Sequence, residues 1–181
     1  MEKLFLAVLI ILVSLALPYF YKLYGLKKIS QLDIPERGDW VKLSRGNVYF
    51  EWFTPESSEP SKGTLILVHG FSTPSFVWGG LVNNFTKSGY KVLVYDHFGR
   101  GFSERPRIKY DKSLYLETLR ELILSQKIEE KVHLIGYSMG GPIVGYYADT
   151  YPDDTKSATL IAPAGFSKAL PDMKSWTTMP I

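Results

Sequence analysis

One serine in this sequence lies between glycines at the spacing that nucleophilic catalysis uses. Gly136, Ser138 and Gly140 form a Gly-x-Ser-x-Gly pattern. An apolar run rich in β-branched residues precedes it at 132–135, and a helix-like segment follows it. A strand, a sharp turn and a helix in that order expose a serine hydroxyl at the tip of the turn. The pattern therefore predicts that Ser138 is a nucleophile, with glycine required where the strand and the helix pack closely.

Alternating strand-like and helix-like segments surround this turn. Residues 64–68 and 90–95 are continuous apolar runs, typical of strands buried on both faces. Residues 40–43 and 48–53 flank Arg45-Gly46-Asn47 and predict a hairpin that begins the sheet. Helices are predicted over residues 75–88, 110–126 and 139–151, and a last strand over 157–162. This order predicts a three-layer α/β fold with a mostly parallel sheet, whose ligands bind beyond the carboxyl ends of the strands.

Side-chain burial is also predicted for the first of these helices. The helix over residues 75–88 is expected to pack four apolar side chains against the sheet, namely Phe76, Trp78, Leu81 and Phe85.

The composition excludes several classes of function. With 181 residues and 45% hydrophobic content the chain can build one core, and a net charge of +3 is too small to indicate nucleic-acid binding. The absence of cysteine excludes disulfides, thiolate catalysis and cysteine-based zinc sites. Gly99-Arg100-Gly101 is not followed by a phosphate-binding pattern. We therefore expect no cofactor, no metal and no nucleic-acid partner.

The first 24 residues allow two interpretations. Leu4–Leu17 is an apolar run broken only by Ser14. As an anchor, residues 4–21 would form a helix about 27 Å long, close to the thickness of a hydrocarbon core. The lysines from Lys22 onward would then favour the cytoplasmic side for the rest of the chain. As a signal peptide, the run would be cleaved after Ala16 and the protein secreted.

Three turns in the expected order make the chain resemble the α/β-hydrolase superfamily, in its serine hydrolase branch of esterases and lipases. They are His69-Gly70-Phe71, Asp96-x-x-Gly99-x-Gly101-x-Ser103 and Gly136-x-Ser138-x-Gly140-Gly141. The resemblance covers about residues 40–165, the expected hydrolase core. Residues 1–24 precede it as anchor or signal peptide, residues 25–39 as a connector, and residues 166–181 follow as the start of a lid.

The resemblance implies a function for individual residues. Ser138 is expected to attack an ester, or a thioester or small amide, and to form an acyl-enzyme. The backbone N–H groups of Phe71 and Met139 are expected to form the oxyanion hole. The turns themselves are expected to be shaped by Gly136, Gly140, His69 and Gly70.

The chain departs from the superfamily in its histidines. The order there is serine, acid, histidine, whereas His69, His97 and His133 all precede Ser138. His97 is expected to be solvated or to order its loop. We therefore expect the N-terminal part of a longer hydrolase, with a sheet incomplete at its C-terminal end and no activity of its own. The alternative is a noncatalytic α/β-hydrolase-like binding protein.

Overall fold

The computed structural model describes residues 2–24, 35–55 and 60–165. The chain divides into two compact units, Met1–Asp33 and Ile34–Ile181. The first unit contains helix α1 (Glu2–Tyr24), with Pro18 inside it. The second unit contains the sheet and the other helices, and it carries all the residues with an expected chemical role.

The expected membrane segment over residues 4–21 falls on helix α1. Among the residues that the structure describes, no helix has the length and apolarity needed to cross a bilayer. A membrane span over residues 4–21 is therefore not supported. Placement on the cytoplasmic side, or secretion after cleavage, rested on this segment alone and stays a prediction.

The second unit is organised around one six-stranded sheet, with the strand order β1-β2-β4-β3-β5-β6. β1 (Gly38–Leu43) and β2 (Gly46–Phe53) form the predicted antiparallel hairpin, and β2 also pairs antiparallel with β4. The remaining strands run parallel to one another: β3 (Thr64–Val68), β4 (Lys91–Tyr95), β5 (Val132–Tyr137) and β6 (Thr155–Ile161). The prediction of a mostly parallel sheet is confirmed.

Helices cover both faces of this sheet, which gives the three predicted layers. α2 (Gly79–Lys87) packs on one face, and α3 (Lys112–Ser125) and α4 (Gly140–Thr150) pack on the other. β3 lies at the centre and is buried throughout, with Leu65 and Leu67 in the apolar cluster on the α2 face and Ile66 and Val68 in the apolar cluster on the face of α3 and α4. Its continuous apolar run is explained by this position between two layers.

The helix predicted over residues 75–88 is a short 3₁₀ helix, Ser75–Trp78, followed by α2. Trp78 is buried and Phe85 partly buried, but Phe76 is 74% exposed and Leu81 is 40% exposed. The prediction that Phe76 and Leu81 pack against the sheet was wrong. A 3₁₀ turn holds three residues instead of 3.6, so it shifts the phase of the following helix and brings Val82 into the core.

Candidate active site

Ser138 follows β5 directly and stands in a backbone conformation that L-residues avoid. Its φ is 52°, in the left-handed region. The backbone is held there by three hydrogen bonds, because its N–H donates to the Ile161 carbonyl and its carbonyl accepts from Gly141 and Ala164, all at 3.0 Å. The side chain is half-buried, and the described residues offer its hydroxyl no hydrogen-bond partner. This conformation and the uncommitted hydroxyl are what a nucleophile at this turn would need.

Two glycines allow the strand and the helix to meet at this turn. A Cβ on Gly136 would fall on the backbone of Gly140 and Gly141, at the start of α4. A Cβ on Gly140 would in turn fall on the carbonyl oxygens at the end of β3. Backbone atoms cannot move aside as a flexible side chain can, so these positions exclude any larger residue.

The turn after β3 lies against the same serine. A Cβ built on Gly70 would be 3.1 Å from the Ser138 Cβ, so Phe71, the next residue, begins beside Ser138. Neither Phe71 nor Met139 donates its backbone N–H to any of the described residues. Met139 is also the residue before α4, where unpaired N–H groups favour negative charge. The structure thus brings together Ser138, Gly70 and two uncommitted donors.

Two buried histidines join the turn after β3 to the turn after β4. The His69 Nδ1–H donates to the Gly70 carbonyl at 2.6 Å, and His69 Nε2 accepts the His97 backbone N–H at 2.9 Å. The His97 Nε2–H donates back to the His69 carbonyl at 3.1 Å. Burial lowers the pKa of both imidazoles, so both are neutral at pH 7. Both rings therefore order the turns, and neither is solvated.

A buried carboxylate adds a second link between these two turns. Asp96 is 1% exposed. Its Oδ1 accepts the Ser75 N–H at 2.7 Å and its Oδ2 accepts the Phe102 N–H at 2.8 Å. The Ser103 hydroxyl donates to the Asp96 carbonyl at 2.6 Å and accepts the Tyr49 N–H from β2 at 2.9 Å. Sequence analysis missed these roles, although Asp96 and Ser103 both belong to the second turn motif.

The described residues do not supply a histidine base for Ser138. His69 and His97 are committed to the backbone bonds above. His133 precedes Ser138 by five residues of extended strand, a separation of about 16 Å, and its Nδ1 lies 2.7 Å from the Ser157 hydroxyl. Within the described ranges, there is also no group of three side chains that could hold a metal ion.

Comparison with known proteins identifies the family of this chain and relatives in it. The family model described as "alpha/beta hydrolase fold" matches residues 63–180. Lipase 1 of Psychrobacter immobilis is 36% identical over 148 residues, which cover 78% of this chain and 41% of that lipase. A monoacylglycerol lipase of Xenopus laevis is 31% identical over 129 residues, or 71% of this chain and 38% of that protein. The chain thus spans about two fifths of the length of these relatives.

Solved structures show the same fold at lower identity. A hydrolase from Pseudomonas aeruginosa superposes with a TM-score of 0.67 at 21% identity, covering 79% of this chain and 51% of the other. An esterase from Exiguobacterium antarcticum superposes with a TM-score of 0.63 at 22% identity, covering 74% and 48%. The sheet and its covering helices are thus shared with both enzymes.

Proposed function

The chain belongs to the α/β-hydrolase fold family, and from that membership we propose that Ser138 is the nucleophile of a hydrolase that cleaves carboxylic esters. The observation that carries the proposal is the strained φ of 52° at Ser138, beside two uncommitted backbone N–H groups. Unpaired N–H groups occur at the start of any helix, so the left-handed conformation of Ser138 is the feature that distinguishes this turn. The names of the relatives, Lipase 1 and monoacylglycerol lipase, support an acyl ester of an alcohol such as glycerol as the substrate.

The proposed chemistry follows from the position of these groups. The Ser138 Oγ attacks the ester carbonyl carbon, and the carbonyl oxygen takes the negative charge between the N–H groups of Phe71 and Met139. The C–O bond to the alcohol then breaks, and the alcohol leaves with a proton. Water hydrolyses the acyl-serine and releases the carboxylic acid. Each N–H placed at the oxyanion contributes about 3–4 kcal/mol to stabilising the transition state.

The serine proton needs an acceptor, and none of the described histidines is available for it. Attack by Ser138 is therefore expected to depend on hydroxide, with a rate that rises about tenfold per pH unit. This same observation favours the second candidate function, a binding protein that keeps the fold without turnover. The two functions differ in whether Ser138 can be acylated or phosphonylated at all.

Labelling with a fluorophosphonate tests the proposal directly. The full chain is incubated at pH 7.5 and pH 9.5, and the modified residue is located by mass spectrometry. We expect slow labelling at pH 7.5, faster labelling at pH 9.5, modification at Ser138 alone, and no labelling of Ser138→Ala. Labelling at another residue, or labelling unchanged in Ser138→Ala, would reject Ser138 as the nucleophile, and labelling absent at both pH values would favour the binding protein.

A further inference from the structure

Arg100 contacts Phe71, the residue whose N–H is the proposed oxyanion donor. It lies in the turn after β4, and its Nε–H donates to the Phe71 carbonyl at 2.6 Å. Its Nη1 donates to the Gly99 carbonyl of its own turn at 3.0 Å. The guanidinium carbon also lies 4.4 Å from the centre of the Phe71 ring. The Arg100 side chain thus contacts Phe71 at its carbonyl and at its ring, and it is bonded at the same time to its own turn.

Apart from Arg100, Phe71 is restrained through its preceding peptide group, because the Gly70 carbonyl accepts the His69 Nδ1–H at 2.6 Å. Phe71 belongs to neither of the two apolar clusters that the described residues form. Its N–H finds no acceptor among the described residues. The contact with Arg100 combines a charge-assisted hydrogen bond with cation–π stacking, and the planar guanidinium can make both at once because its donors are rigidly arranged. A lysine ammonium has no such plane.

We propose that Arg100 is a positioning residue for ester hydrolysis, which clamps Phe71 so that its backbone N–H stays aimed at the oxyanion beside Ser138. The inference rests on the proposed function. The peptide plane that carries the Phe71 N–H is restrained on one side by the bond from His69 to the Gly70 carbonyl, and Arg100 restrains Phe71 on the other side at its carbonyl and its ring. Loss of the Arg100 contacts leaves only the first of these restraints on the direction of the N–H. Arg100 itself does not touch the reacting atoms; it acts through Phe71.

The chain offers a matched control in the same loop. Arg105 donates to the backbone carbonyls of Ser103 and Gly101, both at 3.1 Å, and makes no hydrogen bond to Phe71. Arg100→Met removes the donors and keeps an apolar stem over the Phe71 ring. Arg100→Lys keeps the charge and loses the plane. Arg105→Met removes an equivalent pair of backbone bonds without touching Phe71.

The first measurement is the rate of fluorophosphonate labelling of Ser138 at pH 9.5 as a function of probe concentration. Removing an oxyanion donor costs about 10²–10³ in rate, and Arg100→Met displaces the donor without removing it. We therefore expect the maximal labelling rate to fall about 10–100-fold, with the half-saturating probe concentration unchanged. The maximal labelling rate of Arg100→Lys should lie between those of Arg100→Met and the unmodified chain. The rate of Arg105→Met should stay within about twofold of the rate of the unmodified chain.

The second measurement follows Phe71 without any reaction. The ¹⁵N relaxation of the Phe71 amide is compared in the unmodified chain, Arg100→Lys and Arg105→Met, with Arg100→Lys covering the case in which Arg100→Met fails to fold. We expect a lower order parameter in Arg100→Lys alone. An unchanged order parameter, or an unchanged maximal labelling rate, overturns the role of Arg100. Absence of Ser138 labelling in the unmodified chain instead rejects the proposed function, whatever the amide shows.

Discussion

Replacing Ser138 by glycine should make the protein more stable than replacing it by alanine. Both substitutions delete a hydroxyl that has no partner among the described residues, so they differ mainly in the backbone. Alanine keeps the strain of a left-handed residue with φ of 52°, which costs about 1–2 kcal/mol. Glycine removes that strain but adds about 0.4–1 kcal/mol of conformational entropy to the unfolded chain. The difference should leave Ser138→Gly more stable than Ser138→Ala by about 0.5–1 kcal/mol.

Lys127 provides the control, because it has the same backbone conformation away from the site. Its φ is 53°, and its N–H donates to the Leu124 carbonyl at the end of α3. Lys127→Gly should exceed Lys127→Ala in stability by a similar amount. Urea unfolding, followed by tryptophan fluorescence, gives the free energy of unfolding for each of the four variants.

The outcome separates a strained turn from an ordinary one. If Ser138→Gly is no more stable than Ser138→Ala while the Lys127 pair shows the gain, residue 138 is not left-handed in solution. The nucleophile assignment would then lose its structural basis. If the gain is present, and fluorophosphonate labelling is lost in both Ser138 variants, the serine occupies its conformation at the expense of stability.

Two further predictions concern packing and pH. Gly136→Ala should lower the free energy of unfolding by about 2 kcal/mol, because its methyl group falls on backbone. Gly145→Ala in α4, where the nearest atom is 3.9 Å away, should raise it by up to about 1 kcal/mol; equal effects in urea unfolding would refute this reasoning. Because burial lowers the pKa of His69 and His97 below the unfolded value of 6.5, the unfolded state binds more protons below pH 6.5. The free energy of unfolding should therefore decrease as the pH is lowered below 6.5, by at most about 1.4 kcal/mol per pH unit for each histidine. Ring ¹⁵N shifts should show His97 neutral at pH 5.5, and titration near pH 6.5 would contradict this.

Sequence patterns predicted the elements of this fold where the pattern is local. The apolar run at 64–68 indicates a strand buried on both faces, because only residues between two layers of helices can all be apolar. The glycines at 136 and 140 indicate the tight turn because they stand two residues either side of Ser138, although the atoms that exclude a side chain at Gly140 lie at the end of β3. Both features were therefore visible before the structure.

Long-range bonds account for what the sequence did not reveal. His97 meets His69 across 28 positions, and Arg100 meets Phe71 across 29. No periodicity encodes such pairs, since they depend on β3 and β4 lying side by side. The burial of residues 75–88 was misassigned for a different reason, because a 3₁₀ turn leaves no mark in an apolar pattern and yet rotates the helix that follows it.

The backbone hydrogen bonds that hold Ser138 also determine when its conformation can form during synthesis of the chain. Its partners, Ile161 and Ala164, lie at and just beyond the end of β6 and leave the ribosome after it. At about 5–20 residues per second, the delay is about 1–5 s. A left-handed serine persists only while its surroundings hold it. The nascent chain therefore carries a relaxed serine until β6 has joined the sheet.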